Sequence, residues 1–292
     1  MKNEFKGLIV EGDKKFSIKS AKTDYTGGYN KEMAKDALAK SKIEVSQLQE
    51  RLYASGTHSL LIIFQAMDAA GKDSAIEHVM SGLNPQGCQV FSFKVPTSEE
   101  YEHDFLWRHY KALPERGRIG IHNRSHYENV LVCKVHPEYI LSENIPGFDI
   151  VKKINKDFWK RRYLSIKNFE EHLSANGTVI LKFFLNVSKD EQKQRFLDRI
   201  EDPSKNWKFS SGDIKERALW DDYMKAYEDA INETSTKDSP WHVIPADKKW
   251  FARLAISEII EDKLKSLSIK FPVLDNDEQS KLNETKMALL AE

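Results

Sequence analysis

An excess of charge of either sign, membrane-length apolar runs and a cysteine framework are all missing from this chain. Its 292 residues carry 45 Lys and Arg against 45 Asp and Glu, a formal net charge of zero. No global field therefore draws in a polyanion, and a polyanion site has to come from local clustering. Nucleic acid is not an expected partner. No run approaches the roughly 18 apolar residues of a membrane helix, so no membrane partner is expected. The opening MKNEFKGLIVEGDKKF has too short an apolar core for a signal peptide. Cys88 and Cys133 make neither a CxxC motif nor a disulfide framework. Both read as small hydrophobes in or near the core, and a reducing cytoplasm is the simplest setting.

What is present is enough for a real core: 40% hydrophobic residues, six Trp and fifteen Phe. Residues 1–29 are mixed and glycine-punctuated and read as an arm lying on the body. Lys31 to Tyr53 has helical spacing, with Ala34, Leu38, Val45, Leu48 and Leu52 as its apolar stripe. Five strand-like segments follow, at 59–64, 88–93, 118–122, 178–187 and 241–246. Helix candidates lie at 72–82, 98–111, 126–133, 151–175, 189–201, 213–233 and 247–267. The expected organisation is an arm and helix over 1–53, an α/β domain over 54–267 and a polar tail over 268–292. Strand–helix alternation predicts a five-stranded, mostly parallel sheet with helices on both faces. Ligands of such sheets collect outside the carboxyl ends of the strands.

At that end of the first strand stands FQAMDAAGKDS, Phe64 to Ser74. It resembles the phosphate-cradling pattern G-x-x-x-x-G-K-[ST], with Ala66 where the first glycine belongs and Asp73 where the hydroxyl belongs. Gly71-Lys72 opening a helix after a buried strand is the right context, because N–H groups at a helix start attract anions. Ala69 and Ala70 are small where backbone must approach an oxygen, and Ser74 closes the stretch. Ala66 is tolerable if its φ is negative. Acid in such a loop makes sense beside Mg²⁺, which takes hard oxygen ligands and often only one or two carboxylates. Asp68 is the better metal candidate and Asp73 the second, with a plain helix-capping role open for Asp73. After the third strand the chain reads IGIHNRSHYENV. Asn123 stands where phosphate-loop enzymes usually carry an Asp for the metal, and Arg124 is suited to clamp a transferring phosphoryl group.

Three stretches break the neutral balance: Arg108 to Arg124, Lys152 to Lys167 and Lys193 to Lys208. A solvated helix face is the ordinary reading of any one charge, but a long polyphosphate needs a track of cations. RIEDPSKNWKFSSGD, 199–213, reads as part of a helical lid over about 195–215. It would deliver Arg195, Arg199, Lys205 and Lys208 over the phosphates.

LLIIFQAMDAAGKDS, NPQGCQVFSF, HDFLWRHYKALPERGRIGIHNRSHYENVLV and RFLDRIEDPSKNWKFSSGD resemble the polyphosphate kinase 2 family, over about Tyr53 to Pro245. The family's own phosphate loop is G-x-D-x-x-G-K-x-x, which the chain matches at Asp68 but not at Ala66. The resemblance implies a P-loop kinase fold of the thymidylate kinase type. It implies Mg²⁺-dependent phosphoryl transfer between inorganic polyphosphate and a nucleotide. Asp68 and Lys72 fall in the phosphate loop, Asn123 and Arg124 in the second motif, and Arg195 and Arg199 in the lid. Arg118, in a matched motif, is expected near polyphosphate; Lys94, Asp104 and Arg108 are the nucleotide candidates. NRS with HPEY downstream looks like the subgroup acting on nucleoside mono- and diphosphates. A homodimer or homotetramer is expected. An ATP-dependent nucleoside monophosphate kinase and a non-catalytic sensor of nucleotide or polyphosphate are the alternatives.

Overall fold

The computed structural model describes residues 2–208 and 210–292. Its strands are β1 (Ile9–Val10), β2 (Ser59–Gln65), β3 (Cys88–Ser92), β4 (Ile119–Asn123), β5 (Thr178–Asn186) and β6 (Trp241–Pro245). Its longer helices are α1 (Lys31–Ser55), α2 (Lys72–Met80), α3 (Lys156–Ala175), α4 (Lys189–Glu201), α5 (Gly212–Ala218), α6 (Trp220–Thr234), α7 (Lys249–Ser266) and α8 (Asn276–Leu290). The sheet runs β1-β6-β5-β2-β4-β3, six strands where five were expected. The five expected strands are all parallel to their neighbours. The sixth is the two-residue β1 in the N-terminal arm, antiparallel to β6. Two residues are too few to carry an alternation pattern.

Every residue of β2 is buried, as the central strand of a sheet covered on both faces requires. On it, Phe64 stacks on Phe183 of β5, ring centroids 5.3 Å apart. Parallel pairing keeps the register Phe64–Asn123 and Gln65–Phe184, so the carboxyl ends of β2, β4 and β5 are level. That alignment sets the phosphate loop beside Asn123 and Arg124.

α1 starts where the Asn30 side chain accepts the Met33 N–H, and stops at Gly56, φ +56°. Ala34, Val45, Leu48 and Leu52 are buried as the stripe predicts, and Leu38 is partly buried against the core. The helix packs along α7, making the N-terminal region part of the core. Two expected helices are broken. The 98–111 candidate is two short turns, Ser98–Tyr101 and Trp107–Tyr110. Between them the Asp104 carboxylate accepts the Leu106 N–H and competes with the helical ladder. The 213–233 candidate divides at Leu219 into α5 and α6. α8 is capped by an Asp275–Glu278 box yet buries no residue. Both cysteines are unpaired and partly buried, and burial pushes their thiols up, to about 11 for Cys88 and about 12 for Cys133. No helix among the described residues is long and apolar enough to cross a membrane.

Two core histidines make the fold acid-sensitive. Burial lowers His122 and His242 from 6.5 to about 4, despite hydrogen bonds to the carbonyls of Ala112 and Lys182. The unfolded chain binds these protons first. Stability is therefore full above about pH 6.5 and falls as pH drops towards 4, by up to about 1.4 kcal/mol per unit per group. Urea unfolding at pH 7.5, 6 and 5 is expected to show this loss well before the carboxylates titrate.

Candidate active site

The phosphate loop links β2 to α2. Ala66 is absent from the positive-φ residues, so its Cβ is tolerated where a glycine is usual; Ala69 takes φ +59° and Gly71 φ +100°. Gly71 is the residue before the first turn of α2, and its left-handed backbone aims the helix N–H groups back at the loop. The Lys72 ammonium is buried and donates to the Ala66 carbonyl at 3.0 Å. Burial, then the like charge of Arg124, lowers its pKa, opposed by Asp68, Glu128 and Asp73.

Arg124 follows β4 with φ +64° and its N–H donates to the Phe64 carbonyl. Its guanidinium reaches Asp68 at 2.9 Å and Glu128 at 3.4 Å. Glu128 first, then Asp68, hold it above its ordinary pKa against the cost of burial. Asn123 Nδ2 donates to Asp73 Oδ1 at 2.7 Å and to Ser92 Oγ at 3.4 Å. Asp68, Lys72, Asp73, Asn123 and Arg124 thus converge across the ends of β2 and β4.

The other expected phosphate ligands are placed differently. Arg195 is buried, and all five of its N–H groups are used. Nη1 donates to the carbonyls of Ala69 (3.2 Å) and Ala70 (2.7 Å), Nη2 to those of Ala246 (2.6 Å) and Asp247 (3.2 Å), and Nε to Glu191 (2.8 Å). It braces the loop from behind instead of covering its mouth. Arg118 precedes β4 and pairs with Glu115 at 3.2 Å, at the amino end of the sheet, five residues of extended chain from Asn123. Ser74 Oγ accepts from Arg253 of α7 at 2.6 Å, so its hydroxyl faces that helix. Arg199 pairs with Asp213 at 3.2 Å, and burial, then the charge of Asp68, raises the Asp213 pKa, which puts this pair within reach of the loop's field. Lys205 is paired with Asp202 on the exposed connection, and the Lys208 side chain lies outside the described residues. In the Lys152–Lys167 run Arg162 grips Glu143, and Lys153 and Lys160 meet Asp149 and Asp157. Of the nucleotide candidates, Arg108 donates to the Lys94 carbonyl at 2.9 Å, pairs with Glu100 and lies over Phe93. Asp104 caps its own turn.

The donor chemistry fits a divalent cation held mainly by substrate. Asp68 and Asp73 offer hard oxygens at the loop mouth, each engaged by an exchangeable N–H. Among the described residues no group of three His, Cys, Asp or Glu is arranged as a ready cage, and Mg²⁺ commonly relies on phosphates and water for its remaining ligands. Several site residues escaped the sequence reading. Glu128 lies four residues after Arg124, a spacing that could have marked the pair. Gln192, which donates to the Asp68 carbonyl at 2.9 Å, and Arg253 come from far along the chain and leave no local signal. A cavity of about 30 Å³ beside Asp68 and Arg124 is walled by Glu128, Glu216 and Tyr223.

The chain is similar to known proteins over most of its length. The family model described as Polyphosphate kinase 2 (PPK2) matches residues 28–272. The chain is 54% identical over 254 residues to an ADP-polyphosphate phosphotransferase of Rhodopseudomonas palustris, covering 87% of each. It is 44% identical over 265 residues to an AMP/ADP-polyphosphate phosphotransferase of Meiothermus ruber, covering 90% of this chain and 94% of that one. The crystal structure of polyphosphate kinase 2 from Arthrobacter aurescens TC1 superposes with a TM-score of 0.88 at 41% identity, over 98% of this chain and 97% of that one.

Replacing Arg195 tests its bracing role. Arg195→Met leaves four carbonyls and the Glu191 carboxylate short of a donor. It is expected to lower stability to urea by about 3 kcal/mol, a loss a solvent-facing lid cation would not produce.

Proposed function

The chain belongs to the polyphosphate kinase 2 family, and from that premise we propose that it transfers a phosphoryl group directly between inorganic polyphosphate and AMP or ADP (or GMP or GDP), giving the next higher nucleotide. The observation that carries this reading is the convergence of Lys72, Asp68 and Arg124 at the carboxyl ends of β2 and β4. The named activities of the relatives from R. palustris and M. ruber support it.

An acceptor phosphate oxygen attacks the terminal phosphorus of the donor in line. The bridging P–O bond breaks, and its electron pair leaves with the shortened chain. N–H groups at the start of α2 bind the phosphate oxygens. Lys72 exchanges the Ala66 carbonyl for one of them, and Arg124 exchanges Asp68 for the transferring group, each meeting charge as it develops. Asn123 keeps Asp73 oriented towards the mouth. Asp68, with Asp73 as second candidate, would hold Mg²⁺, which when bound supplies charge neutralisation and alignment of donor and acceptor. Arg199 and Lys205 serve the donor chain if the lid shifts and Asp213 and Asp202 are exchanged for phosphate, and Lys208 serves it with them.

We place the enzyme in the cytoplasm, in keeping with its unpaired cysteines. We expect a homodimer or homotetramer, since Leu282, Leu289 and Leu290 of α8 are exposed. Light scattering is expected to give a mass at least twice 33.8 kDa.

Incubating the protein with Mg²⁺, long-chain polyphosphate and AMP or ADP, with no ATP added, is expected to yield ADP and ATP. Turnover with ATP and AMP alone would instead identify a nucleoside monophosphate kinase. Binding without turnover would identify a sensor. Asp68→Asn is expected to cut the rate by about a hundredfold or more with no change in urea midpoint.

A further inference from the structure

Behind the site, under the turn that follows Arg124, lies a buried polar cluster that the transfer mechanism does not use. The Lys182 ammonium of β5, fully buried, donates to Glu170 Oε2 of α3 (2.6 Å), the Tyr127 hydroxyl (3.1 Å) and the Thr234 carbonyl (2.9 Å). Glu170 Oε1 accepts the Tyr127 hydroxyl at 2.6 Å and lies 3.4 Å from His126 Nε2, while Oε2 also accepts from Ser239 at 2.7 Å. Burial would raise the Glu170 carboxyl, but Lys182 and His126 outweigh it and hold it below its ordinary range. We infer that this Glu170–Lys182–Tyr127 cluster positions the Arg124 guanidinium, an inference that rests on the phosphoryl-transfer reading of the site.

A buried ion pair is poor value for stability alone, because apolar residues of similar volume often do as well or better. What this one does is geometric. Tyr127 and His126 belong to the short 3₁₀ turn His126–Val130, which carries Glu128, the second anchor of Arg124. Its start is tied by the Ser125 hydroxyl, which accepts from Gln65 Nε2 and from the Tyr127 N–H. Arg124 itself sits at φ +64°, a conformation that costs a non-glycine residue energy and persists only where the surroundings over-determine it. The cluster supplies that determination from α3, β5 and the residues that follow α6. Tyr127, Glu170 and Lys182 are positioning residues: they touch Arg124 only through the turn.

The test is a double-mutant cycle of Tyr127→Phe against Arg124→Ala, read in two ways. With polyphosphate and ADP, Tyr127→Phe is expected to lower kcat roughly tenfold to a hundredfold and to leave the KM for ADP nearly unchanged. In the Arg124→Ala background it is expected to cost nothing further. Tripolyphosphate binding by calorimetry needs no turnover and is expected to show the same loss of effect. It keeps the inference testable if wild-type protein proves inactive, an outcome that would sink the transfer reading separately. Glu170→Gln with Lys182→Met removes both charges at similar volume and guards against a folding defect. It is expected to lower kcat like Tyr127→Phe while holding its urea midpoint. Equal losses in both Arg124 backgrounds, or wild-type kcat in the charge-free pair, would overturn the inference.

Discussion

One guanidinium ties the phosphate loop to the turn that follows β6. Arg195 reaches from α4 to the carbonyls of Ala69 and Ala70 on one side and of Ala246 and Asp247 on the other. Those carbonyls lie in tight, largely buried turns with no ladder partner, and leaving them unsatisfied would be costly. With them satisfied, Ala69 can hold a positive φ and Gly71 can aim the start of α2 at the mouth. The loop is thereby set before a ligand arrives, the condition for electrostatic catalysis. A flexible lid cation could not provide that.

The same economy explains how a chain of zero net charge can act on a polyanion. Its cations are stored against nearby acids: Arg124 on Asp68 and Glu128, Arg199 on Asp213, and, on the exposed connection, Lys205 on Asp202. In the proposed transfer each pair opens when phosphate oxygens replace the carboxylate, so positive charge is uncovered where a phosphate sits. Lys72 is stored differently, on the carbonyl of Ala66. Its burial weakens its hold on a proton but strengthens its field on anything that enters.

Much of this was legible. The five main strands, the helix over Lys31–Tyr53 and the loop from Phe64 to Ser74 follow from apolar runs, periodicity and a glycine-lysine step, all local signals. So does the pairing of the loop with Asn123 and Arg124, because parallel strands deliver their carboxyl ends to one edge. Less legible was which partner each of the chosen residues meets. Arg118 is only six residues from Arg124, yet β4 carries them to opposite ends of the sheet. Ser74 is two residues from Lys72, yet the turn of α2 directs it to Arg253.

The sequence alone determined which chemistry is available: a phosphate loop with its own acids, a second motif with an arginine, and enough cations for a charged substrate. Those are properties of short stretches, set by residue type and spacing within a strand or a turn. Which cation faces substrate and which is a brace was decided only by the tertiary structure. That choice depends on which carbonyls, hydroxyls and carboxylates come within about 3 Å across gaps of tens to more than a hundred residues. Arg195 and Ala70, or Lys182 and Tyr127, meet only because the sheet order and the helix layers bring them together.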